Sequence, residues 1–463
     1  MVVTVEALFT IVQDLFILPR EMVAPIVEGF LEEFKVGLRT PSKGLATMIP
    51  SFVTRMPTGN ETGTFMSLDL GGTNLRIAAV QLLGDGHVKV SEVKHAITPE
   101  LRVGTGVAFF DWIADAVQEL VLEKARHLFK PDQVSGKETL YLGVCWSFPV
   151  DQTAVNHGTI LRMGKGIALS DTEGRDLTDM FHEAFDRKGL NVKVNAILND
   201  TVGALVAHAY ASPRTRVGFI FATGCNAAYP EKVENIVKLD ASVRGQYPAG
   251  TEMLLNTEID IFGNESYLPL NRYDLMLDAS HNQPKFQLFE KMMSGAYLGE
   301  LTRLVALDFI EAGLLFHGDI PKGFEQPWSF PTKYMSALER DATEERHKSL
   351  ETMMSTYEFD TNPTLEDVSL MTRICRIVST RSAILCAAAI VALIEQQDLI
   401  NMSENDIIIG MNGSTYEYYP FMEERVHRAL RTWYGYEVSD RIRLEVTHEG
   451  GSVGGALIAM LCT

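Results

Sequence analysis

The fold is decided by the stretch Ser67-Leu68-Asp69-Leu70-Gly71-Gly72-Thr73-Asn74-Leu75-Arg76-Ile77. An apolar segment stops at Asp69 and two glycines and then resumes, which predicts two strands joined by a tight turn. Such a turn presents several backbone N–H groups on one side, and without a Cβ at Gly71 or Gly72 a polyphosphate can approach the main chain. Asp69, at the strand end, would then face a metal ion. An ordinary hairpin with a buried or capping aspartate explains the stretch equally well.

Length and composition indicate a folded protein with two domains. The chain has 463 residues, which is too long for one compact core. Its hydrophobic share of 46% and charged share of 22% argue against disorder. The net charge of −19 argues against binding to nucleic acid or an anionic membrane, which needs clustered Lys and Arg. An anionic ligand must therefore be held by backbone dipoles, a few cations and a metal.

The cysteines and the apolar runs favour a reduced compartment and no membrane span. The five cysteines are scattered and form no C-x-x-C pair, which indicates buried thiols and a cytoplasmic location. Glu6 and Asp14 lie near the N-terminus with no basic region before the apolar residues, so a secretory signal is not expected there. The most apolar run, residues 383–394, is too short to span a bilayer and predicts a buried helix.

Several predicted strands end in polar or glycine-rich segments. The strand-like runs that share this feature cover residues 139–148, 192–198, 216–221, 406–410 and 441–446. Because ligands of α/β sheets bind at the carboxyl ends of strands, one shared cleft is expected at these ends. The last run leads to a predicted glycine-rich turn at residues 450–455 and a closing helix, a pattern compatible with phosphate or nucleotide binding.

These motifs together resemble those of the hexokinase family, and their sequences are most similar to the motifs of fungal glucokinases. The likeness runs from about residue 20 to the C-terminus, and the motifs follow the family's order. The matching segments are residues 67–74 (first phosphate motif), 142–152 (sugar-binding signature), 199–203 (catalytic-base motif), 222–226 (second phosphate loop), 256–258 and 289–292 (two glutamate-bearing sugar segments), and 413–414 with 450–455 (nucleotide end).

The resemblance implies an α/β fold of the two-domain, actin-like ATPase (ribonuclease H-like) type, with an interdomain cleft. The implied small domain comprises residues 60–199 plus 441–463, and the large domain residues 1–59 plus 200–440. The implied partners are a small-molecule hexose, with glucose first, and ATP with Mg²⁺. The expected assembly is a monomer or homodimer.

The resemblance also implies which residues carry the chemistry. Asp200 corresponds to the general base that accepts the proton of the sugar hydroxyl in phosphoryl transfer. From the residues alone, Asp200 is also an acceptable N-cap for a helix over residues 201–211. Lys165 corresponds to the lysine that the family places against the sugar and the transferring phosphoryl group, although an ordinary surface lysine fits equally well.

The substrate-binding residues are likewise implied by the resemblance. Sugar hydroxyls call for carboxylates and amides in excess, yet Glu290 taken singly is more typical of a solvated helix. The implied hexose-binding residues are Ser147, Phe148, Gly164, Lys165, Asn199, Asp200, Asn226, Glu258 and Glu290. The implied ATP-binding residues are Asp69, Gly71, Gly72, Thr73, Asn74, Thr223, Gly224, Gly413, Ser414, Gly450, Gly451 and Ser452, with Asp69 reaching the ATP-bound Mg²⁺ through water.

Several ligand-side positions depart from the family's pattern. Gly164 stands where the family carries a threonine whose hydroxyl touches the sugar, and Met163 replaces a tryptophan beside it. Ala222 stands where the second phosphate loop has glycine. Residues 259–261 are Ile-Asp-Ile where Trp-Gly-Ala or Trp-Gly-Ser is usual, and Gly451-Ser452 reverses the usual Ser-Gly order.

The predicted activity is an ATP-dependent hexose 6-phosphotransfer with weakened or altered sugar preference. If the costs of three of these changes fall on one complex, activity drops by about a hundredfold or more. The first alternative is a sugar-sensing regulatory protein that keeps the cleft but turns over little or not at all. The second is an actin-like ATPase without a sugar substrate, which leaves the sugar-binding signature and the paired glutamates without a purpose.

Overall fold

The computed structural model describes residues 4–41, 46–402, 405–447 and 450–463. Its strands are β1 (Ile49–Pro50), β2 (Thr62–Leu70), β3 (Asn74–Gly84), β4 (His87–Ala96), β5 (Leu140–Trp146), β6 (Val150–Ala154), β7 (His157–Ile160), β8 (Val192–Leu198), β9 (Thr215–Phe221), β10 (Cys225–Lys232), β11 (Glu252–Asn256), β12 (Ile407–Asn412) and β13 (Ile442–Val446).

The helices of the described residues, numbered in chain order, are α1 (Val5–Phe16), α2 (Arg20–Arg39), α3 (Pro99–Arg102), α4 (Gly106–Glu119), α5 (Pro131–Val134), α6 (Leu177–Arg187), α7 (Asp200–Ala211), α8 (Ala241–Arg244), α9 (Arg272–Ser280), α10 (Leu288–Met293), α11 (Gly295–Glu311), α12 (Thr332–Arg340), α13 (His347–Thr356), α14 (Leu365–Gln396), α15 (Leu399–Met402), α16 (Ser414–Tyr418), α17 (Met422–Ser439) and α18 (Gly450–Leu461). One of the 3₁₀ turns in the described residues covers Ile259–Ile261.

The hairpin predicted around Gly71 and Gly72 is confirmed and lies at the centre of a five-stranded sheet. Strands β2 and β3 pair antiparallel, and Gly71 N–H donates to the carbonyl of Asn74 at 3.0 Å to close the turn. The strand order is β4-β3-β2-β5-β8, in which β5 pairs parallel to both β2 and β8. The carboxyl ends of β2, β5 and β8 therefore lie at one edge of the sheet.

A six-stranded sheet, built from the short strand β1 and the strands that follow β8, repeats this arrangement. Its order is β1-β11-β10-β9-β12-β13, in which β10 pairs antiparallel to both β9 and β11, and β12 pairs parallel to both β9 and β13. Apart from the short edge strand β1, each sheet thus contains three antiparallel strands followed by two parallel ones. The predicted α/β fold with two sheet-bearing halves is confirmed.

Two helices, α7 and α18, fill the space between the sheets and touch through glycines. A Cβ on Gly454 would lie 2.1 Å from the backbone oxygen of Gly203, and a Cβ on Gly143 in β5 would lie 2.1 Å from that of Gly455. No side chain fits at such distances, so glycine allows the backbones to meet. The apolar cluster that these helices form includes residues of both sheets. Helices α7 and α18 therefore join the two halves.

The large apolar core of the second half is built around α14. This helix has 32 residues, and the buried helix predicted at residues 383–394 is its C-terminal part. By length and composition α14 could cross a membrane, but 83% of its most apolar window is buried inside the protein. A buried ion pair between Arg381 and Asp274, with N–O distances of 2.6 and 2.7 Å, ties it to α9. This is the position of a core helix.

The domain boundaries stay a prediction. Residues 441–446, assigned to the small domain, contribute β13, which pairs with β12 in the six-stranded sheet. Helix α18, assigned to the same domain, packs against β2 and β5 of the five-stranded sheet. The chain therefore crosses between the sheets after β13 as well as after β8.

Candidate active site

Asp200 opens the candidate site at the start of α7, directly after β8. Asn199 caps this helix, because its Oδ1 accepts the N–H of Thr201 at 2.7 Å. The alternative in which Asp200 is the N-cap is therefore wrong, and Asp200 is the first helical residue. Its side chain is open to the cleft, and Thr201 Oγ1 donates to its Oδ1 at 3.3 Å. The N-terminal end of a helix favours a carboxylate there.

The environment of Asp200 raises its pKa. The surrounding protein removes bulk water from the carboxylate and raises the pKa, while the ammonium of Lys165 lowers it. The pKa of Asp69 is also raised, first by burial and then by the negative charge of Asp200. The positive charges of Arg76 and Lys165 lower it in part. Asp69, Lys165 and Asp200 therefore lie within electrostatic reach of one another, and their roles as metal-facing carboxylate, lysine and base stay a prediction.

Glu258 faces Asp200 from the six-stranded sheet. Burial raises the pKa of Glu258 to about 7, and the charges of Asp260 and Asp200 act in the same direction. Its Oε1 accepts two amide donors, from Asn256 at 2.6 Å and from Asn226 at 3.2 Å. The backbone of Glu258 is left-handed, with φ at 51°. The predicted pair of Asn226 and Glu258 is thus brought together. Asn256 belongs to the same predicted segment as Glu258, and its supporting role was not predicted.

Glu290 lies beside the second phosphate loop. It is 9% exposed, so it is not the solvated helix residue that the local sequence suggests. Its Oε2 accepts the N–H of Cys225 at 3.1 Å, and a Cβ on Gly224 would lie 2.6 Å from this oxygen. Glycine at position 224 therefore lets the predicted second phosphate loop and Glu290 touch. The neighbouring Lys291 is turned away and pairs with Asp278 at 2.6 Å.

Lys165 and Phe148, both predicted to bind the sugar, lie side by side. The Nζ of Lys165 lies 5.8 Å from the centre of the Phe148 ring, and the lysine backbone is left-handed with φ at 54°. A Cβ on Gly72 would lie 2.9 Å from the Cβ of Lys165, so the first phosphate turn packs against the lysine stem. Gly164 lies next to them, and the half-buried Ser147 precedes Phe148.

Arg102, which sequence reasoning missed, holds these two segments together. Its guanidinium donates to the carbonyl of Gly72 at 2.8 Å and to the carbonyl of Lys165 at 3.1 Å. Arg102 ends the one-turn helix α3, far from any recognised motif. No local pattern could have revealed it, because both of its partners are backbone oxygens distant in the sequence.

The second phosphate loop is fixed by α11. The N–H of Gly295 donates to the carbonyl of Ala222 at 2.9 Å, and the N–H of Ala296 donates to that of Thr223 at 3.0 Å. The methyl of Ala222 faces Gly413, because a Cβ on Gly413 would lie 2.8 Å from it. The extra methyl that departs from the family's pattern is thus accommodated by a glycine on the neighbouring strand end.

A cavity of about 250 Å³ lies beside this loop, and two of the residues predicted to bind the nucleotide, Thr223 and Ser414, line it. Its other lining residues are Gly295, Thr332, Lys333, Ser336, Arg340, Thr415, Tyr418 and Tyr419. Two cations and several hydroxyls suit a polar, anionic ligand. The start of α12 supplies Thr332, Lys333 and Ser336, which sequence reasoning missed. The sequence feature that could have indicated them is Pro331-Thr332-Lys333, which is typical of a helix start and carries an exposed lysine.

The glycine-rich segment near the C-terminus is helical, and the turn predicted at residues 450–455 is wrong. Residues 450–461 form α18, in which Gly450 and Ser452 are buried. Gly451 is half-buried, and a Cβ on it would lie 3.4 Å from Asp69 Oδ2. Of these residues, Gly451 is next to the predicted metal-facing carboxylate, whereas none lines the cavity around Ser414.

Comparisons with known proteins identify the family of this chain. Two family models, both described as hexokinase, match residues 9–210 and 216–461. Hexokinase-1 of Schizosaccharomyces pombe is 35% identical over 451 residues, covering 97% of this chain and 89% of the relative. Hexokinase-1 of Nicotiana tabacum is 35% identical over 446 residues, covering 95% and 88%.

Solved structures show the same fold. A hexokinase from Schistosoma mansoni complexed with glucose matches with a TM-score of 0.79 and 29% identity, covering 99% of both chains. A second hexokinase crystal structure matches with a TM-score of 0.85 and 27% identity, again covering 99% of both. The predicted two-domain, actin-like fold is therefore confirmed. The chain belongs to the hexokinase family and is a hexokinase-type phosphotransferase.

Proposed function

We propose that this protein transfers the γ-phosphoryl group of ATP to the 6-hydroxyl of a hexose, glucose first. The convergence of Asp200 with Lys165 on one side and Glu258 on the other carries the proposal. It brings a proton acceptor, a cation and sugar-binding carboxylates to one cleft opposite two phosphate-compatible turns. The family implies the use of ATP, and the cavity beside Thr223 and Ser414 supports its binding there.

Asp200 acts as the general base. Its carboxylate takes the proton of the 6-hydroxyl as that oxygen forms a bond to the γ-phosphorus, and the bond from this phosphorus to the bridging oxygen breaks to release ADP. The raised pKa of Asp200 supports this role, because a base is most effective when its pKa approaches the working pH. Lys165 stabilises the negative charge on the transferring group.

Asp69 suits a water-mediated contact with Mg²⁺. The ion keeps several of its own waters and is held by one or two carboxylates together with substrate phosphates, which matches a single half-buried carboxylate beside Gly451. When bound, Mg²⁺ neutralises charge on the phosphates. Asp69 therefore serves to orient the hydrated ion.

An Asp200→Asn variant tests the base. We expect glucose-dependent release of ADP to fall by about 10²- to 10⁴-fold, because the amide cannot accept the proton, while glucose binding measured by calorimetry persists. Asp14→Asn, on the exposed face of α1, is the matched control and should keep full activity. Full activity of the Asp200 variant, or ADP release that does not depend on glucose, would overturn the proposal.

A sugar-sensing regulatory role is the competing function. The departures at Gly164, Ala222 and Asp260 favour it, whereas the retention of Asp200 and Lys165 in one cleft favours turnover. Sugar binding by the unmodified protein with no release of ADP above the Asp200→Asn variant would establish the regulatory role instead.

A weakened or altered sugar preference, a cytoplasmic location and a monomeric or homodimeric state are proposals of the same kind. Free thiols at all five cysteines, four of them buried, support a reducing compartment. Cell fractionation tests the location, and light scattering tests the assembly.

A further inference from the structure

A second cavity, of about 150 Å³, lies where α14 and α17 meet the start of α2. None of the described residues that line it belongs to the candidate active site. Ala387 and Ala388 line it from α14, and Ala429 lines it from α17. Because side chains this small cannot fill the gap between packed helices, space remains among the larger residues around them. Protein interiors contain few such voids, so this cavity is a candidate ligand site.

The walls of the cavity are helix faces and are mainly apolar. Its lining residues on α14, from Thr380 to Val391, recur at the helical period and therefore form one continuous face. The indole ring of Trp433 in α17 also lines the cavity, and its Nε1–H donates to Glu395 of α14 at 3.2 Å. Apolar cavities of similar volume in other proteins stay dry and accept a ligand the size of benzene. An apolar body of this size therefore suits the cavity.

The charged residues of the cavity are all positive. Its described lining residues include three arginines, Arg20, Arg425 and Arg428, and no carboxylate. This departs from the composition of the whole chain, which has 60 acidic residues against 41 Lys and Arg. Cations that no acid of the same cavity balances favour a ligand that carries negative charge. The cavity therefore suits a ligand with an apolar body and an anionic group.

Two of the three arginines already have partners. Arg425 is buried, and its guanidinium donates to Glu339 of α12, so it belongs to the protein's own core. Arg428 pairs with Glu424 at 2.5 Å, one turn earlier in α17, and both side chains are exposed. An exposed pair of this kind contributes little to stability, so a ligand can replace it at small cost.

Arg20 is the arginine that remains available to a ligand. It is exposed, its guanidinium carbon lies 5.2 Å from the centre of the Trp433 ring, and it forms no ion pair with a described residue. A guanidinium can hold a carboxylate by two parallel hydrogen bonds. Since the Trp433 side chain also lines the cavity, a carboxylate bound by Arg20 lies next to the apolar space.

We propose that this cavity binds a small carboxylic acid whose apolar body is about the size of a benzene ring. The body lies among the alanines of α14 and α17, and the carboxylate accepts hydrogen bonds from Arg20. Binding requires neither hexose nor ATP, because no described lining residue belongs to the candidate active site. The inference therefore goes beyond the proposed function and does not depend on it.

Calorimetry of the full chain, without hexose or ATP, tests the ligand class with three probes. Phenylacetate has both the ring and the carboxylate, phenylacetamide has the same shape without the charge, and acetate has the charge without the ring. We expect phenylacetate to bind at least about 10-fold more tightly than either of the others, because each lacks one of the two interactions.

Substitutions test the position of the ligand. Arg20→Met keeps the aliphatic stem and should weaken phenylacetate by about 10-fold while leaving phenylacetamide unchanged. Ala388→Leu fills the cavity and should weaken both ring compounds by at least about 10-fold. Ala429→Leu fills it from a half-buried position and gives the same test if Ala388→Leu does not fold. Arg39→Met, at the exposed far end of α2, is the matched control and should change nothing.

Three outcomes overturn the inference. The first is that phenylacetate does not bind, or that phenylacetamide binds as tightly. The second is an affinity for phenylacetate that Arg20→Met and the leucine variants leave unchanged. The third is a leucine variant that converts a homodimer into monomers in light scattering, because the cavity would then be a contact between two copies of the chain.

Discussion

Gly164 shows how one missing side chain limits the pocket. A Cβ on Gly164 would meet only Phe148 Cδ1, at 3.8 Å, which is an ordinary contact. We therefore expect Gly164→Thr to fit and to place a hydroxyl beside Lys165. One added neutral hydrogen bond should lower KM for the preferred hexose by about 2- to 10-fold, with kcat little changed. Steady-state kinetics at saturating ATP measure this.

Gly164→Val separates the hydroxyl from the shape of the new side chain. Valine has the same branched form as threonine but donates no hydrogen bond, so its KM should stay at or above the wild-type value. An equal gain in the valine variant would mean that packing, and not hydrogen bonding, is what the pocket lacks.

Individual residues of the site were predictable where a motif carries them. Asp200 and Glu290 stand in motifs, and the structure brings both to the cleft. Asn256 stands in the motif at residues 256–258 but received no role there. Arg102 was missed because its role depends on two backbone carbonyls that only the fold brings near. Sequence motifs therefore reveal the side chains that contact a ligand more readily than the residues that hold those side chains in position.

At the scale of elements, the one-turn helix α3 links the first phosphate turn to the sugar-binding loop through Arg102. We expect Arg102→Met, which keeps the aliphatic stem, to remove both hydrogen bonds and lower kcat/KM for hexose and for ATP together by about 10- to 100-fold. A loss of positioning should affect both substrates, whereas a purely structural role should lower the melting temperature alone. Kinetics and thermal unfolding measured on the same sample distinguish them.

Arg126→Met is the control, because Arg126 is an exposed arginine outside the site. It should change neither value. An Arg102 variant with normal kinetics for both substrates would contradict the role assigned to α3.

The prediction for the last glycine-rich element was wrong for a physical reason. Glycines normally weaken helices, so the run at residues 450–455 suggested a turn. In the structure these residues begin α18, and Gly454 and Gly455 are needed where this helix meets Gly203 of α7 and Gly143 of β5. Only the tertiary contact explains a helix that begins with four glycines in six residues, and the sequence holds no sign of that contact.

At the scale of the whole molecule, two sheets with the same strand order face each other across α7 and α18. The sequence predicted two domains from its length and from the family resemblance, but this repetition was not seen. The two halves share the order of their strands but not their residues, so the sequence shows no internal repeat. Pairings between distant strands, such as β9 with β12, depend on packing and not on local pattern.

The stability of the whole fold should depend on pH through the carboxylates of the cleft. Folding raises the pKa of Glu258 and of Asp260 from 4.5 and 3.8 to about 7. The folded state therefore binds more protons than the unfolded state between these values, and the free energy of unfolding contributed by this pair decreases as pH rises from about 4.5 to about 7. Asp260→Asn should reduce this slope.

Melting temperatures of the wild type and of Asp260→Asn are measured without ligand at about pH 5, 6, 7 and 8. The quantity of interest is the difference in melting temperature between the two proteins at each pH. Taking the difference removes groups with the opposite trend, such as Asp341, whose pKa of about 2 affects stability only at lower pH. A difference that does not change with pH would contradict a raised pKa for this pair.

The central position of α18 has a consequence for how the protein is made. Strand β8 completes the five-stranded sheet at Leu198, but the helix that covers this sheet begins at Gly450. During translation one apolar face of the sheet therefore stays uncovered until α18 is synthesised, which requires about half of the chain. Domains whose segments are contiguous can fold one after another on the ribosome, but this one cannot. A premature stop shortly before residue 450 should yield a nascent chain that chaperones retain and proteases remove.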